Sequence, residues 1–193
     1  MKTIKHAVLM LIALTILTGI IYPFVLTGVG QVFFRGTANG SLIKRDGRVF
    51  GSFLIGRSCT SDRYFQSRPS ATGYNPLPSG GSNLSPSSIA LADSVALRRA
   101  AFRRANFLDS AADVPPDMLF SSGSGLDPDI SGESAFLQAP RICGARHLGP
   151  SQAAKLRSII AGLAGGSKSS ILSGTRVNTL LLNFALDSLT GSL

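Results

Sequence analysis

From Ala7 to Phe34 no residue is charged, and most are apolar. A bilayer core of roughly 30 Å takes about 20 apolar residues as helix, so this run can span it with some left over. In lipid every backbone N–H needs an internal partner, which makes the segment helical. Pro23 removes one helix hydrogen bond, and a kink or interface-level bend is expected near Tyr22-Pro23. A cleaved signal peptide would carry a shorter apolar region, about 7–15 residues, followed by a small-x-small cleavage site. This run is longer and no Ala-x-Ala follows it. The segment therefore reads as an uncleaved anchor.

The anchor sets the expected organisation: a short basic cytoplasmic tail at 1–6, a transmembrane helix at 7–34 and a soluble domain at 35–193. Lys2 and Lys5 precede the helix; Arg35, Lys44, Arg45 and Arg48 follow it. Charge counting alone leaves the orientation open. A long downstream domain can be translocated largely regardless of its charge, and Lys2 and Lys5 sit against a very short tail. The expectation is a single-pass protein of the cell inner membrane, amino terminus cytoplasmic and soluble domain periplasmic. The part beyond the anchor holds 17 basic and 10 acidic residues, a net +7. Such a surface attracts anionic headgroups, nucleic acid or an acidic partner. No aromatics interleave with the arginines as single-strand binding needs, so nucleic acid is not expected.

The soluble part reads as one mixed α+β domain. Two β-prone runs within 41–56 flank Asp46-Gly47, a hairpin signal. Residues 57–86 are irregular. Ser85-Pro86 reads as an N-cap with Pro at the first helical position, opening a helix to about Phe107. Its expected buried stripe is Ile89, Ala92, Val95, Ala96 and Ala100, and Arg98, Arg99, Arg103 and Arg104 suit its carboxyl end. Met118-Leu119-Phe120 reads as a short strand and 121–128 as a Gly/Ser loop. Residues 131–138 and 140–146 read as two short helices broken at Pro140. Another helix is expected over 150–163, a flexible connector over 165–175, and an apolar helix within 177–189.

Candidate chemistry is sparse. Gly162 to Ser169 imitates a phosphate loop, but Ser167 stands where Gly must precede Lys and no strand leads in. Asp127-Pro-Asp129 imitates a calcium loop, yet Gln138 stands where a bidentate Glu is required. Asp127 and Asp129 are read instead as caps of the following turn and helix. Cys59, Cys143 and His147 lack paired zinc spacing; whether the two cysteines pair is left open. His147 has no nucleophile elbow to serve, and Ser41-x-x-Lys44 lacks companion motifs. No catalytic residue and no metal site are expected. Ser79-Gly80-Gly81-Ser82-Asn83 has two readings. Adjacent glycines can form an anion-binding nest, or the loop is a rigid structural one, stiffened by Pro76 and Pro78.

Four blocks of the chain, in order, resemble the C subunit family (KdpC) of the bacterial Kdp-type potassium-transporting ATPase. They are the anchor with Tyr22-Pro23; Leu54-Ile55-Gly56, Tyr64-Phe65 and Arg68 to Pro86; Val114-Pro115, Asp117 and Ser121 to Ser131 with Gln138, Pro140-Arg141 and Ala145-Arg146; and Arg176-Val177-Asn178 with Leu182-Asn183 and Ala185-Leu186-Asp187. Departures are Arg57 for the usual Gln, Ser67 for Gly and Ser85 for Gly. The resemblance implies a non-catalytic accessory subunit of a high-affinity, ATP-driven potassium uptake complex. It implies a role in assembly, and one as a catalytic chaperone that promotes ATP binding by the P-type ATPase subunit. Its implied partners are that subunit, the potassium-channel-like subunit and membrane lipid. It directs attention to Arg68, Pro69, Ser70, Tyr74, Asn75, Ser79, Gly80, Gly81, Ser82 and Asn83 as an assembly or nucleotide-contact loop. Ser124, Gly125, Asp127 and Asp129 form a second loop. No cofactor is expected to bind the chain directly, ATP being reached through the ATPase subunit. A domain outside the membrane meets no cytoplasmic ATP, so packing on the outer face of the channel-like subunit is the natural expectation. The competing expectation is a stand-alone, membrane-anchored basic module that binds an anionic polymer, for which Arg98 to Arg104 is the sequence support.

Overall fold

Pro23 shapes the amino-terminal rod. The computed structural model describes residues 2–45, 47–165 and 175–191. In it α1 (Lys2–Ile16), a π-helical turn (Leu17–Ile21) and α2 (Tyr22–Phe33) run on without a break. Pro23 offers no N–H, and its ring would press on the carbonyl four residues back, at Gly19. The chain relieves this by widening the turn before it, where the Tyr22 N–H reaches back to the Leu17 carbonyl. The deformation thus falls one turn ahead of Tyr22-Pro23. At about 1.5 Å per residue the 32-residue rod is about 48 Å long, more than a bilayer core requires. None of its side chains is buried, so it is apolar toward its surroundings on every side. A short α3 (Arg35–Ala38) follows, tied by Asn39 Nδ2 donating to the Arg35 carbonyl at 2.6 Å.

The chain divides into two compact units at Ile43/Lys44. Strands β1 (Leu42–Arg45) and β2 (Arg48–Ser52) pair about Gly47, whose φ of +75° suits glycine. The hairpin is where Asp46-Gly47 places it, although Asp46 itself lies outside the described residues.

The second unit packs α4 (Ile89–Ala105), α5 (Pro116–Leu119), α6 (Gly132–Ala145), α7 (Pro150–Gly165) and α8 (Thr179–Thr190) around one apolar core. A second two-stranded sheet pairs β3 (Asp129–Ser131) with β4 (Arg176–Asn178) antiparallel, Ile130 opposite Val177. Ile130, Ile142, Leu156, Ile160, Val177, Leu182 and Leu186 are at most 1% exposed, and Phe65 from the irregular segment joins them. Ser131 and Asn178 cap α6 and α8. The Asp117 carboxylate accepts from the Ser131 N–H (2.8 Å) and from the Ser131 and Ser134 hydroxyls, locking α5 to the start of α6.

Several expectations are corrected here. Met118-Leu119-Phe120 is not a strand: Pro116 opens the short helix α5, and both Met118 and Leu119 are buried. Pro140 does not break α6, which is continuous. Pro140 lies on the exposed face with Phe136, the residue whose carbonyl a proline here deprives of its usual helix donor. The opposite face, with Gln138, Arg141 and Ile142 buried, holds the helix through. Helix α4 begins at Ile89, with Ser88 rather than Ser85 at the N-cap position and no side-chain cap bond there. Its expected stripe is turned outward: Ile89, Ala92, Ala96 and Ala100 are exposed and Val95 is half-buried. The inner face is set by Phe102 and by two arginines. Arg98 Nη1 donates to the Leu119 carbonyl at 2.8 Å and Arg103 Nε to the Ala112 carbonyl at 2.9 Å. Cap and turn are also divided otherwise than expected: Ser131 caps α6, while Asp127 Oδ1 accepts from the Asp129 N–H. Residues 166–174, with most of the proposed connector and Ser167 of the phosphate-loop mimic, lie outside the described residues.

Candidate functional site

Between Ser61 and Ser67 the chain has no ladder of its own, and polar side chains of α6 and α8 supply one. Gln138 Oε1 accepts from the Gln66 N–H at 2.8 Å while its Nε2 donates to the Gln66 carbonyl at 3.2 Å. Asn183 does the same for Phe65, at 2.8 and 3.0 Å. Each carboxamide thus imitates one residue of a neighbouring strand. Arg141, buried, donates to the carbonyls of Asp62 (2.6 Å) and Tyr64 (3.1 Å), to Asn106 Oδ1 (3.0 Å) and to Gln138 Oε1 (3.1 Å). Burial pulls its pKa below the ordinary arginine value, with the nearby Asp62 charge opposing. Arg146 donates to the Arg63 carbonyl (2.8 Å) and to Asp187 Oδ1 (2.6 Å), its guanidinium 4.5 Å from the centre of the Tyr64 ring.

This clamp presents the signature loop. Arg68 pairs with Asp127 at 2.8 Å, joining the first loop to the second. The Pro69 carbonyl accepts from the Ser122 N–H (3.1 Å), and the Ser70 hydroxyl donates to the Gly125 carbonyl (2.7 Å). The Tyr74 hydroxyl donates to the Arg68 carbonyl, and burial pushes its pKa up. Asn75 Oδ1 accepts from the Leu77 N–H (3.0 Å), a local turn. The Gly80 N–H donates to the Ser124 carbonyl at 2.9 Å, and Gly81 lies against Gly123. Gly125, at φ +70°, has no room for a Cβ: the atom would stand 2.5 Å from Thr72 Oγ1 and 2.8 Å from the Gly80 carbonyl oxygen. Asp129 accepts from Asn178 Nδ2 at 3.2 Å. Burial and the Asp127 charge raise its pKa, against the Asn178 bond and Arg176. Ser79, Ser82 and Asn83 remain exposed.

The two loops therefore come together as one body, a pairing that more than 40 residues of sequence separation hide. Of the nest proposed at Gly80-Gly81, the Gly80 N–H is already taken by Ser124. Sequence reasoning assigned no role to Gln138, Arg141, Arg146, Asn183 or Asp187. Their signal was present: polar residues set on otherwise apolar helix faces. Cys59 and Cys143 are free thiols, and burial raises the Cys143 pKa. Among the described residues no group of His, Cys, Asp and Glu could hold a metal ion.

A cleft of about 340 Å³ opens beside the clamp, lined by Phe50, Arg57, Cys59, Tyr64, Leu180 and Asn183 among others. A second, of about 280 Å³, lies around Arg68, Asp127 and Asp129.

A helix long and apolar enough to cross a membrane, followed by a unit whose polar side chains hold its own loops, is the class of chain the structure defines. Comparison with known proteins gives its family. The family model for the K+-transporting ATPase c chain, KdpC, matches residues 4–188. The chain is 47% identical to the potassium-transporting ATPase KdpC subunit of Methylobacterium nodulans, over 93% of its own length and 94% of the relative's. It is 44% identical to that of Rhodopseudomonas palustris strain TIE-1 (97% and 98% covered) and 45% identical to that of Mycobacterium tuberculosis strain H37Ra (97% and 99%). The chain belongs to the KdpC family, the C subunits of potassium-transporting ATPases.

Proposed function

We propose that the chain is a non-catalytic accessory subunit of an ATP-driven potassium uptake complex in the cell inner membrane. The rod anchors it with the amino terminus in the cytoplasm and the head in the periplasm. The head docks on the channel-like and P-type ATPase subunits and is needed for their assembly. The observation that carries this reading is where the site's polar groups are spent. Arg68 bonds Asp127, Tyr74 the Arg68 carbonyl, Ser70 the Gly125 carbonyl and Gly80 the Ser124 carbonyl, while the clamp residues hold 61–67, as a rigid docking body requires. The family's chaperone effect on ATP binding then passes through the partner subunits, because the Gly80 N–H is already engaged and a periplasmic head meets no nucleotide.

The test is a deletion of this chain with the partner subunits intact. Loss of potassium-dependent ATPase assembly and uptake is expected, with no ATP hydrolysis by the chain alone. Normal pumping without it refutes the reading. Protease added to spheroplasts should cleave the head; cleavage only in inverted vesicles reverses the orientation. The anionic-polymer reading loses support because Arg98 and Arg103 donate to internal carbonyls, leaving Arg99 and Arg104 as the exposed cations of that cluster. Steeply salt-dependent polymer binding would revive it.

A further inference from the structure

We propose that the cleft beside Arg57–Thr60 receives an extended segment of a partner protein, laid along that stretch as an added strand, with a carboxylate opposite Arg57 and an apolar side chain between Phe50 and Leu180. This rests on the accessory-subunit reading and names where a partner grips.

Residues 57–60 run without helix, turn or ladder. Among the described residues no hydrogen bond reaches their backbone N–H or carbonyl groups. Both flanks are pinned. The Gly56 N–H donates to the Leu126 carbonyl at 2.7 Å, and the Ser61 and Asp62 carbonyls accept from Arg141. Gly56 is pressed so close that a Cβ there would stand 2.5 Å from the Asp127 carbonyl oxygen. The unpaired stretch is therefore held in place between two fixed ends, which lowers the ordering cost of binding along it. A row of open backbone donors and acceptors is a template for another strand.

The side chains agree with the backbone. The Arg57 guanidinium has no acceptor among the described residues and lines the cleft. Phe50 and Leu180 form an apolar wall, and Val49, Leu54 and Ile55 nearby are 57%, 60% and 43% exposed. Apolar surface next to unpaired backbone marks an interaction site more than either does alone. A volume of about 340 Å³ is at the small end of ligand sites, enough for one or two side chains. A polypeptide fits best because it brings alternating N–H and C=O groups at strand spacing. A phospholipid headgroup brings mainly acceptors.

Cys59 makes the proposal testable, since its free thiol lines the cleft. In the full chain carrying Cys143→Ser, it is the single thiol. Its alkylation by N-ethylmaleimide is measured in the isolated chain in detergent, in anionic phospholipid vesicles holding the chain alone, and in membranes holding the complete complex. Alkylation slower on the order of tenfold only in the complex is expected. A benzophenone maleimide placed on Cys59 should crosslink to a partner subunit. Arg57→Glu should relieve the protection. Ser58→Pro, which removes one backbone donor at an exposed position, should relieve it too; a site that reads side chains alone would be indifferent to it. Equal alkylation in all three settings, with the chain still co-purifying, overturns this inference and leaves the accessory-subunit reading standing. Protection by vesicles alone overturns it in favour of lipid. Failure to co-purify at all overturns the reading beneath it.

Discussion

Arg146 and Asp187 meet at 2.6 Å between the end of α6 and α8, with side chains only 2% and 6% exposed. A pair so enclosed gains from mutual attraction in a medium that screens poorly, and neither charge has water to fall back on. The pair also fixes the Tyr64 ring, since Arg146 lies over it and the Tyr64 hydroxyl reaches Asp187 Oδ2 at 3.4 Å. Asp187→Ala should therefore destabilise the head by about 3–5 kcal/mol, the cost of leaving a buried guanidinium uncompensated. Urea denaturation of the full chain in detergent, followed by tyrosine fluorescence, measures it. An unchanged midpoint would show that the pair is idle.

Gln138 and Asn183 each satisfy both backbone groups of one residue, Gln66 and Phe65. Gln138→Leu and Asn183→Leu keep the volume and strand those groups. Each should cost about 1–3 kcal/mol, the usual penalty for buried polar groups left without partners. Because both grip one short segment, the double variant should fall short of the sum. Full additivity in the same denaturation measurement would mean that the segment does not act as a unit.

Gly125→Ala tests whether the two loops need backbone-close contact. The substitution combines a positive φ with a Cβ closer to Thr72 and Gly80 than atoms can stand. A loss of about 1–3 kcal/mol is expected. Limited proteolysis should show new cutting within residues 70–84 while the α6–α8 core stays protected. Wild-type resistance would show that the loops tolerate separation.

Asp129 gives a pH dependence of known sign. Its folded pKa is raised, first by burial and then by Asp127. Between the ordinary carboxylate value and that raised value, the native state binds more protons than the unfolded chain. The group therefore opposes folding when ionised, and stability recovers as pH falls through the folded pKa. Asp129→Asn should stabilise slightly at neutral pH, by ~0.3 kcal/mol or less for a group this exposed. The gain should vanish below the ordinary aspartate range. Thermal melts of both proteins from pH 7 to pH 3 decide it; a gain that grows toward low pH contradicts the sign.

What the sequence revealed followed from chemistry that needs no distant partner. The long apolar helix is legible because its character lies in consecutive residues, and the hairpin because Gly47 must take a positive φ. Helices α7 and α8 follow from local apolar spacing. Several of the errors come from partners remote along the chain. Gln138 and Arg141 look like surface residues until the Gln66 and Asp62 backbone groups, more than 70 positions away, are brought to them. That same burial carries α6 through Pro140. The stripe of α4 was misplaced because Ile89 and its alanines resemble a core face, whereas Arg98 and Arg103 reach inward to carbonyls. The loop blocks of the family were visible one by one; their union through Arg68 and Asp127 was not.

The widened turn at Leu17–Ile21 has an effect on the whole rod. An α-helix advances about 100° per residue, so one extra residue in a turn rotates everything beyond it by about that angle. Side chains of α1 and α2 that would share a meridian on an unbroken helix are thus out of phase. A neighbour gripping α1 and one gripping α2 approach from different compass points, and excising a single residue at Thr18 or Gly19 would bring both onto one side.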